Sequence, residues 1–314
     1  MIRPVGWFWR KLTTRAVWRW ERRFKYTVQR QASSLPPIAP ADGPHIMVVL
    51  TTPATFDEAL FSGWSWLRFL HAEFRLEMYV DGEITASMQA KSDAIFPGAR
   101  LLSVDDAIAE WDGGQTGAPR WAEWKTQCSC IKKVPLILKL QETQSVLFLD
   151  YDVLAFNAPE EIVTAVQSPG TPPLYNREDP AADWDPEIKR VADQRGLRLP
   201  DGFNSGLLWL PGQSLSSSLL MNLVHQCDPR KMGYFAEQTL VAALLGDAGA
   251  QALPESRYVT SQQRQFYWDA DVDYETIIAR HFVWPVRHVL YRKGIPRILH
   301  AARSGARHTA DAQL

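Results

Sequence analysis

A run of four apolar residues followed by two aspartates constrains this chain more than any other stretch. Val146 to Leu149 predict a fully buried strand, and Asp150 and Asp152 follow at its C-terminal end. Residues i and i+2 of a strand point to the same face, so the two carboxylates are expected to converge on one point beyond the strand. Oxygen ligands at that edge of an α/β sheet suit a divalent cation, Mn²⁺ or Mg²⁺. Such a cation keeps positions open for phosphate oxygens, which predicts chemistry on a phosphorylated substrate.

Predicted strands and helices alternate on both sides of this run. Three strands are expected before it, at His45 to Leu50, Arg75 to Val80 and Arg100 to Val104. Helices are expected at about Phe56 to Glu73, 83–93, Lys125 to Gln141, Glu160 to Gln167, Leu215 to His225 and Phe235 to Leu245. This alternation predicts an α/β fold with a doubly wound, mostly parallel sheet flanked by helices. Residues 105–124 and 168–201 are rich in turn-forming residues, which predicts turns and a long loop.

The first 30 residues differ in charge from the rest of the chain. They hold nine Lys or Arg residues and one acid, which is a net charge of +8. The remainder holds 25 basic and 34 acidic residues, a net charge of −9. Four of the 13 tryptophans lie in the basic segment, namely Trp7, Trp9, Trp18 and Trp20. A basic helix rich in Trp suits the surface of an anionic membrane, and the alternative is a helix that packs its Trp face on the main domain or on a second subunit.

The chain is therefore divided into a basic, Trp-rich helical arm (residues 1–30), a Pro-rich linker (31–44) and a catalytic domain (45–314). No apolar run reaches the roughly 18 residues that span a bilayer, and the N-terminus lacks the apolar region of a signal peptide. The three cysteines do not form a disulfide framework. The expected location is the cytoplasm, with residues 1–30 at the inner face of the membrane. Nucleic acid is not an expected partner, because the rest of the chain is acidic.

Several motifs, in their order and spacing, resemble those of the GT-A glycosyltransferases, which use nucleotide-diphospho-sugars and include the glycogenin-like enzymes. They are the Lys132-Lys133-Val-Pro stretch, Asp150-Tyr-Asp152, Phe203-Asn204-Ser-Gly206, Glu237-Gln238 and Ile298-Leu299-His300. The resemblance covers about Ile46 to His300. Two departures from the family pattern are Glu237 in place of Asp and the absence of the Gly-x-x-Lys that often follows the C-terminal His.

The resemblance implies a metal-dependent enzyme that moves a sugar from a nucleoside-diphosphate sugar, expected to be a UDP-sugar, to a hydroxyl acceptor. The implied metal ligands are Asp150, Asp152 and His300, the last of these on a C-terminal strand. A basic arm at a membrane favours a glycan or a lipid-linked glycan as the acceptor. The expected donor-binding residues are Thr51, Thr52, Asp81, Lys125, Asn204, Gly206 and Arg303, and the catalytic candidates are Glu237, Gln238 and Asp201.

Residue chemistry supports part of this assignment. Thr51, Thr52 and Asp81 follow the first two predicted strands, at the edge where α/β sheets bind nucleotides. Asn204 and Gly206 in a tight turn allow the backbone to approach a sugar, and the amide can hydrogen-bond its hydroxyl groups.

Two other hypotheses stay open. The Asp-Tyr-Asp-Val sequence also fits the haloacid-dehalogenase type of phosphatase, although that motif normally lies on the first strand of its domain, and three predicted strands precede it here. The other hypothesis is a catalytically silent scaffold at a membrane surface.

Overall fold

The structure is a computed structural model, and it describes residues 19, 21–112, 124, 128–178, 184–260, 272–283 and 286–311. The side chains of residues 112, 129 and 305–311 are outside this description. No helix in the described part of the chain is both long enough and apolar enough to cross a bilayer.

A seven-stranded sheet forms the centre of the fold. Its strands, in spatial order, are β3 (Arg100–Ser103), β2 (Phe74–Val80), β1 (His45–Thr51), β4 (Val146–Asp150), β7 (Phe203–Leu210), β6 (Leu174–Arg177) and β8 (Gln251–Ala252). Strand β7 runs antiparallel to β4 and β6, while the other neighbours in this sheet pair in parallel. The predicted mostly parallel sheet is confirmed.

The apolar strands are buried because helices cover both faces of this sheet. Alternate residues of β1 enter different cores, with Met47 and Val49 in one and Ile46 and Val48 in the other. The four apolar residues that begin β4 are 0% exposed. Their complete burial fixes the position at which the strand, and with it Asp150, emerges from the core.

A second sheet of three short strands lies next to the end of β4. It consists of β5 (Val153–Ala155), β10 (Ala279–His281) and β9 (Tyr258–Thr260). Strand β10 pairs antiparallel with β5 and parallel with β9. The small sheet therefore brings a segment close to the C-terminus beside the residues that follow Asp150.

Ten α-helices of eight or more residues are described around the two sheets. They are α1 (residues 21–29), α2 (Phe56–Leu70), α3 (Ala86–Ile95), α4 (Val104–Asp112), α5 (Lys133–Gln141), α6 (Glu160–Gln167), α7 (Pro186–Gln194), α8 (Ser217–Gln226), α9 (Ala236–Asp247) and α10 (Ile295–Asp311). A π-helical turn, Leu290–Gly294, leads into α10.

The structure corrects four local predictions. Helix α4 occupies part of the predicted turn region 105–124, and both β6 and α7 lie inside the predicted loop 168–201. Residues 203–206 are part of strand β7 rather than a turn, and Ile298 to His300 are helical rather than a strand. Helix α7 had a usable signal, because the Asp185 side chain caps its first turn and Pro186 occupies the first helical position.

The core begins earlier in the chain than the predicted domain boundary at residue 45. Val28, Ala32 and Leu35 are buried in the same core as helix α2. The predicted linker is held to the domain by hydrogen bonds, including one of 2.9 Å from Trp64 Nε1 to the carbonyl oxygen of Pro36. The part of the predicted arm before residue 19 lies outside the described residues.

Candidate functional site

Asp150, Asp152 and His281 meet just beyond the end of β4. Each offers one ligand atom, and these atoms all lie within 4.8 Å of one another. The Nε2 atom of His281 is 3.1 Å from Asp152 Oδ1 and 4.0 Å from Asp150 Oδ2. The side chains of Asp152 and His281 are buried, while that of Asp150 is 25% exposed. The predicted convergence of the two carboxylates is confirmed, and the imidazole that joins them is that of His281.

The small sheet creates this arrangement. Strand β4 ends at Asp150, and the chain turns through Tyr151 before β5 begins, so the two aspartates come from a strand end and a turn rather than from one strand. Val153 is paired with His281 across β5 and β10. The backbone N–H of Phe282 donates to the carbonyl oxygen of Asp152 at 2.9 Å. Pairing of β5 with β10 therefore places the histidine beside the second aspartate.

A chain of hydrogen bonds sets the orientation of the His281 ring. Asn204 donates from Nδ2 to Glu178 Oε2 at 3.0 Å, and its Oδ1 accepts from the Gly206 N–H at 2.9 Å. The same Oδ1 lies 2.8 Å from His281 Nδ1, which makes Nδ1 the donor of this pair. In the neutral ring the lone pair of Nε2 is then directed at Asp152, and in the protonated ring Nε2 donates to Asp152 Oδ1.

Two acceptor atoms 3.1 Å apart are stable only with a proton or a metal ion between them. An imidazole whose second nitrogen is held by an amide oxygen, together with two carboxylates, is a suitable donor set for a divalent cation such as Mn²⁺. The residues present therefore fit the predicted metal.

Two basic side chains complete the cluster. Arg287 donates to Asp152 Oδ2 from Nε at 3.2 Å and from Nη2 at 3.0 Å. Lys133 Nζ donates to Asp150 Oδ1 at 2.8 Å and to Ser205 Oγ at 3.2 Å. Burial alone would raise the pKa of Asp152, but the charges of His281 and Arg287 and their hydrogen bonds lower that pKa to about 2. Asp152 is therefore ionised at neutral pH and available to a cation.

Glu237 lies next to this cluster with an unsatisfied oxygen. Its Oε1 atom is buried and has no hydrogen-bond partner, and Lys133 Nζ is 3.8 Å away. Burial raises the pKa of Glu237 to about 7, although the charge of Lys133 acts in the opposite direction. A buried carboxyl group that titrates near neutrality can accept a hydrogen bond from a ligand or exchange a proton with it.

The predicted nucleotide residues share one edge of the sheet. The backbone N–H of Asp81 donates to the Thr51 carbonyl at 2.8 Å, and the Asp81 carboxylate accepts from Lys132 Nζ at 2.7 Å. Thr52 donates from its backbone N–H to Thr55 Oγ1 at 3.1 Å. These residues follow β1 and β2, and β1 is the direct neighbour of β4. The same edge therefore carries both the carboxylates and the residues expected to contact the nucleotide.

Other predicted residues lie elsewhere or have a different contact. Gln238 donates from Nε2 to the Phe203 carbonyl at 3.1 Å and so supports the start of β7. Asp201 is exposed in the turn before β7. His300 and Arg303 are exposed on α10, whose buried side holds Ile298, Leu299 and Ala302, so the structure does not bring them to the carboxylates. Lys125 lies outside the described residues.

Four residues of the cluster had not been predicted as site residues, namely Lys133, Ser205, His281 and Arg287. A short apolar run, Ile277 to Ala279, precedes His281 with Arg280 between them, and it is a weak signal for a strand end. Strand β10 has three residues, too few for a periodic pattern to identify it. Lys133 was part of a recognised motif, but its contact with Asp150 depends on the packing of α5 against the sheet.

Comparison with known proteins identifies the fold. No protein-family model and no curated protein sequence matches this chain. Among solved structures, the bifunctional glycosyltransferase WbbM in its apo form aligns with a TM-score of 0.54 and 12% identity, over 83% of this chain and 51% of that one. The galactosyltransferase LgtC in complex with donor and acceptor sugar analogues aligns with a TM-score of 0.51 and 15% identity, over 82% of this chain and 95% of that one.

These alignments confirm the predicted fold. The chain has the GT-A glycosyltransferase fold, with the mostly parallel seven-stranded sheet at its centre. This chain spans about half of the WbbM chain and nearly all of the LgtC chain. At such low identities the alignments establish the architecture, and the chemistry has to be argued from the site itself.

Proposed function

We propose that this protein is a metal-dependent glycosyltransferase that moves a sugar from a nucleoside-diphosphate sugar to a hydroxyl group. The observation that supports it most strongly is the meeting of Asp150, Asp152 and His281 at the sheet edge, with His281 Nε2 3.1 Å from a carboxylate oxygen of Asp152. These three residues would hold Mn²⁺ or Mg²⁺, and the bound ion supplies positive charge to the departing diphosphate.

The protein's own residues have distinct roles around that ion. Arg287 lies beside Asp152 and exposes 30% of its side chain, so it can turn from the carboxylate to a phosphate oxygen. This assigns to Arg287 the role predicted for Arg303. Lys133 holds Asp150 in place from the buried side. Thr51, Thr52 and Asp81 provide hydrogen-bonding groups for the nucleoside at the neighbouring strand ends.

Glu237 is the proposed contact for the reacting sugar. Its buried, unsatisfied oxygen accepts a hydrogen bond from a sugar hydroxyl, and its pKa near 7 allows it to take up a proton from the acceptor. Asn204 orients the histidine, because its amide oxygen contacts both the Gly206 N–H and His281 Nδ1.

The proposed donor is a UDP-sugar, as the family resemblance implies, and the proposed acceptor is a glycan or lipid-linked glycan. LgtC, which shares the fold, was crystallised with donor and acceptor sugar analogues, which supports a two-sugar reaction at this site. The proposed location is the cytoplasm, at the inner face of a membrane, and the three free thiols are consistent with its reducing environment.

The phosphatase alternative is less consistent with the structure. Asp150 ends the fourth strand along the chain, after β1, β2 and β3, whereas the phosphatase motif would be expected on the first strand. The scaffold alternative makes a different prediction, namely that the carboxylates are dispensable.

The direct test is an activity screen with the full-length protein. Release of nucleoside diphosphate is measured from a panel of nucleotide sugars, with Mn²⁺ or with a chelator, in the presence of simple glycosides as acceptors. Metal-dependent release from at least one nucleotide sugar, lost in the Asp150→Asn/Asp152→Asn variant, is the expected result. Hydrolysis of small phosphoesters without any release from nucleotide sugars would instead favour the phosphatase, and undiminished biological function of the double variant would favour the scaffold.

A further inference from the structure

Helix α1 is docked on the catalytic domain. Val28 is 4% exposed and belongs to the same core as α2. Lys25 Nζ donates to the carbonyl oxygen of Ala54 at 2.9 Å and lies 3.3 Å from Glu58 Oε1. The same carboxylate oxygen accepts a hydrogen bond of 2.9 Å from the hydroxyl group of Tyr291. These contacts fix the helix relative to the sheet, so whatever the helix binds is held in a defined orientation to the site.

The docked helix lies beside the candidate site. Ala54 belongs to the short turn Pro53–Thr55 that follows β1, at the same sheet edge as Asp150. Burial raises the pKa of Glu21, on the first turn of the described helix, and the positive charge of Arg287 acts in the opposite direction. Arg287 in turn contacts Asp152. Helix α1 and the carboxylate cluster are therefore neighbours at one end of the molecule.

The outer face of this helix carries positive charge and aromatic rings. We define the outer face as the exposed basic and aromatic residues of α1 and of the positions beside it, namely Arg19, Arg22, Arg23, Phe24, Tyr26 and Arg30. Tyr26 is 72% exposed and Phe24 is 36% exposed. The face contains no acid, because the single acidic residue of the segment, Glu21, is half-buried on the side of the domain. Arginines that alternate with exposed aromatic rings suit the headgroup region of an anionic bilayer.

The charge of the whole chain favours the same orientation. The sequence after residue 30 has 25 basic and 34 acidic residues, so an anionic surface repels most of the domain and attracts the basic segment. A flat bilayer can contact the outer face without displacing the inner contacts of Lys25 and Val28. Nucleic acid would also be attracted by the positive charge of this face. It is the less favoured ligand, because the described residues include no element that reads bases.

We infer that the outer face of helix α1 docks on an anionic lipid bilayer and thereby holds the carboxylate cluster close to the membrane surface. This deepens the proposed function, since it makes the acceptor a molecule that resides in or on the bilayer. In this inference the binding surface is the outer face, and residues 1–18 are not needed to form it. The outer face therefore acts as a rigid surface with a fixed position relative to Asp152, and not as a flexible tether.

The test is vesicle binding by full-length protein. The Arg22→Glu/Arg23→Glu variant is compared with Lys189→Glu/Arg190→Glu. The control makes the same change in net charge at two neighbouring residues of α7 whose side chains are 44% and 47% exposed. Sedimentation with phosphatidylglycerol vesicles is expected to retain wild type and the α7 variant, while binding of the α1 variant falls by more than about tenfold. Thermal melting confirms that both variants are folded. Phosphatidylcholine vesicles are expected to retain none of the three proteins.

Hydrogen exchange on the vesicles tests the orientation. Slower exchange is expected in residues 21–30 and in the neighbouring turn 52–55, with no change in residues 186–194. Unchanged vesicle binding by the α1 variant, protection confined to residues before 19, or retention by nucleic acid without retention by vesicles would each overturn the inference. Vesicle binding is measured without turnover. If the protein bound vesicles but released no nucleoside diphosphate from any nucleotide sugar, the proposed function would be rejected and the membrane contact of helix α1 would stand.

Discussion

The imidazole ring of His281 lies in the space that a side chain on Gly206 would fill. A Cβ atom at position 206 would collide with Cε1 of the ring and would lie 2.5 Å from Nδ1 and 2.9 Å from Nε2. The backbone of β7 and the ring of β10 approach this closely because residue 206 has no side chain. The glycine of the Asn204-Ser-Gly206 motif therefore has a direct structural function, which is to leave room for the histidine.

Gly206→Ala is expected to displace His281 and to weaken Mn²⁺ binding by about tenfold or more, in the range found when groups that orient a ligand are changed. Calorimetric titration with Mn²⁺ measures the effect. Gly63→Ala is the control, because a Cβ there would first meet Phe96 at an ordinary 3.4 Å. Equal Mn²⁺ affinity in the two variants would mean that the position of the His281 ring does not matter for the metal.

His281→Ala is expected to abolish the stabilisation that a nucleoside diphosphate gives in the presence of Mn²⁺, since it removes one of three converging ligands. His300→Ala makes the same chemical change on the exposed side of α10 and is expected to leave the stabilisation by nucleoside diphosphate and Mn²⁺ unaltered. Melting temperatures with UDP and Mn²⁺ provide the comparison. If the His300 variant lost this stabilisation and the His281 variant kept it, the metal ligands would be Asp150, Asp152 and His300, as first predicted from the sequence.

Arg287→Ala is expected to destabilise the protein by on the order of 2 kcal/mol at neutral pH, because it leaves the buried Asp152 carboxylate with one charged partner fewer. The pKa of Asp152 is lowered to about 2 in the folded state, so its stabilising contribution is present above its ordinary pKa and is lost as pH falls through about 2. The difference between variant and wild type should therefore shrink in acid. Urea unfolding across this pH range measures it, with Arg303→Ala as the control, and a difference independent of pH would contradict the assignment.

Glu237→Gln is expected to change how stability depends on pH in metal-free protein. Burial raises the pKa of Glu237 to about 7, so folding favours its protonated form and wild type loses stability as pH rises from about 4.5 to about 7. The glutamine variant has no such loss. Its free energy of unfolding relative to that of wild type should therefore increase by on the order of 2 kcal/mol when the pH is raised from 5 to 8. Unfolding curves at these two pH values test this, with the exposed Glu83→Gln as the control. If the stabilities of Glu237→Gln and wild type depended on pH in the same way, burial would not raise the pKa of Glu237.

Much of the fold was predictable from local patterns, because β1 and β4 are apolar runs that end in polar residues, and β2 is an apolar strand interrupted by Arg75 and Glu77 and followed by Asp81. The convergence of Asp150 and Asp152 was predicted from their spacing, although Asp152 lies in the turn after β4 and not in the strand. The third ligand did not, since His281 is brought to Asp152 across 129 residues by strands of three residues each. His300 lay in a motif resembling a strand, but the apolar spacing of Ile298, Leu299 and Ala302 is that of a helix, which buries these residues and exposes the histidine. Long-range pairing of short strands has no local sequence signature, so such contacts could be found only in the structure.

The central claim is that Asp150, Asp152 and His281 hold a divalent cation that binds the diphosphate of the donor. Calorimetric titration of the full-length protein with UDP, in Mn²⁺ and again in a chelator, tests it most directly, with the Asp150→Asn/Asp152→Asn variant in parallel. We expect UDP to bind wild type in Mn²⁺, and to bind at least about a hundredfold more weakly both in the chelator and in the variant. Equal UDP affinity with and without Mn²⁺, unchanged by the double substitution, would contradict the account.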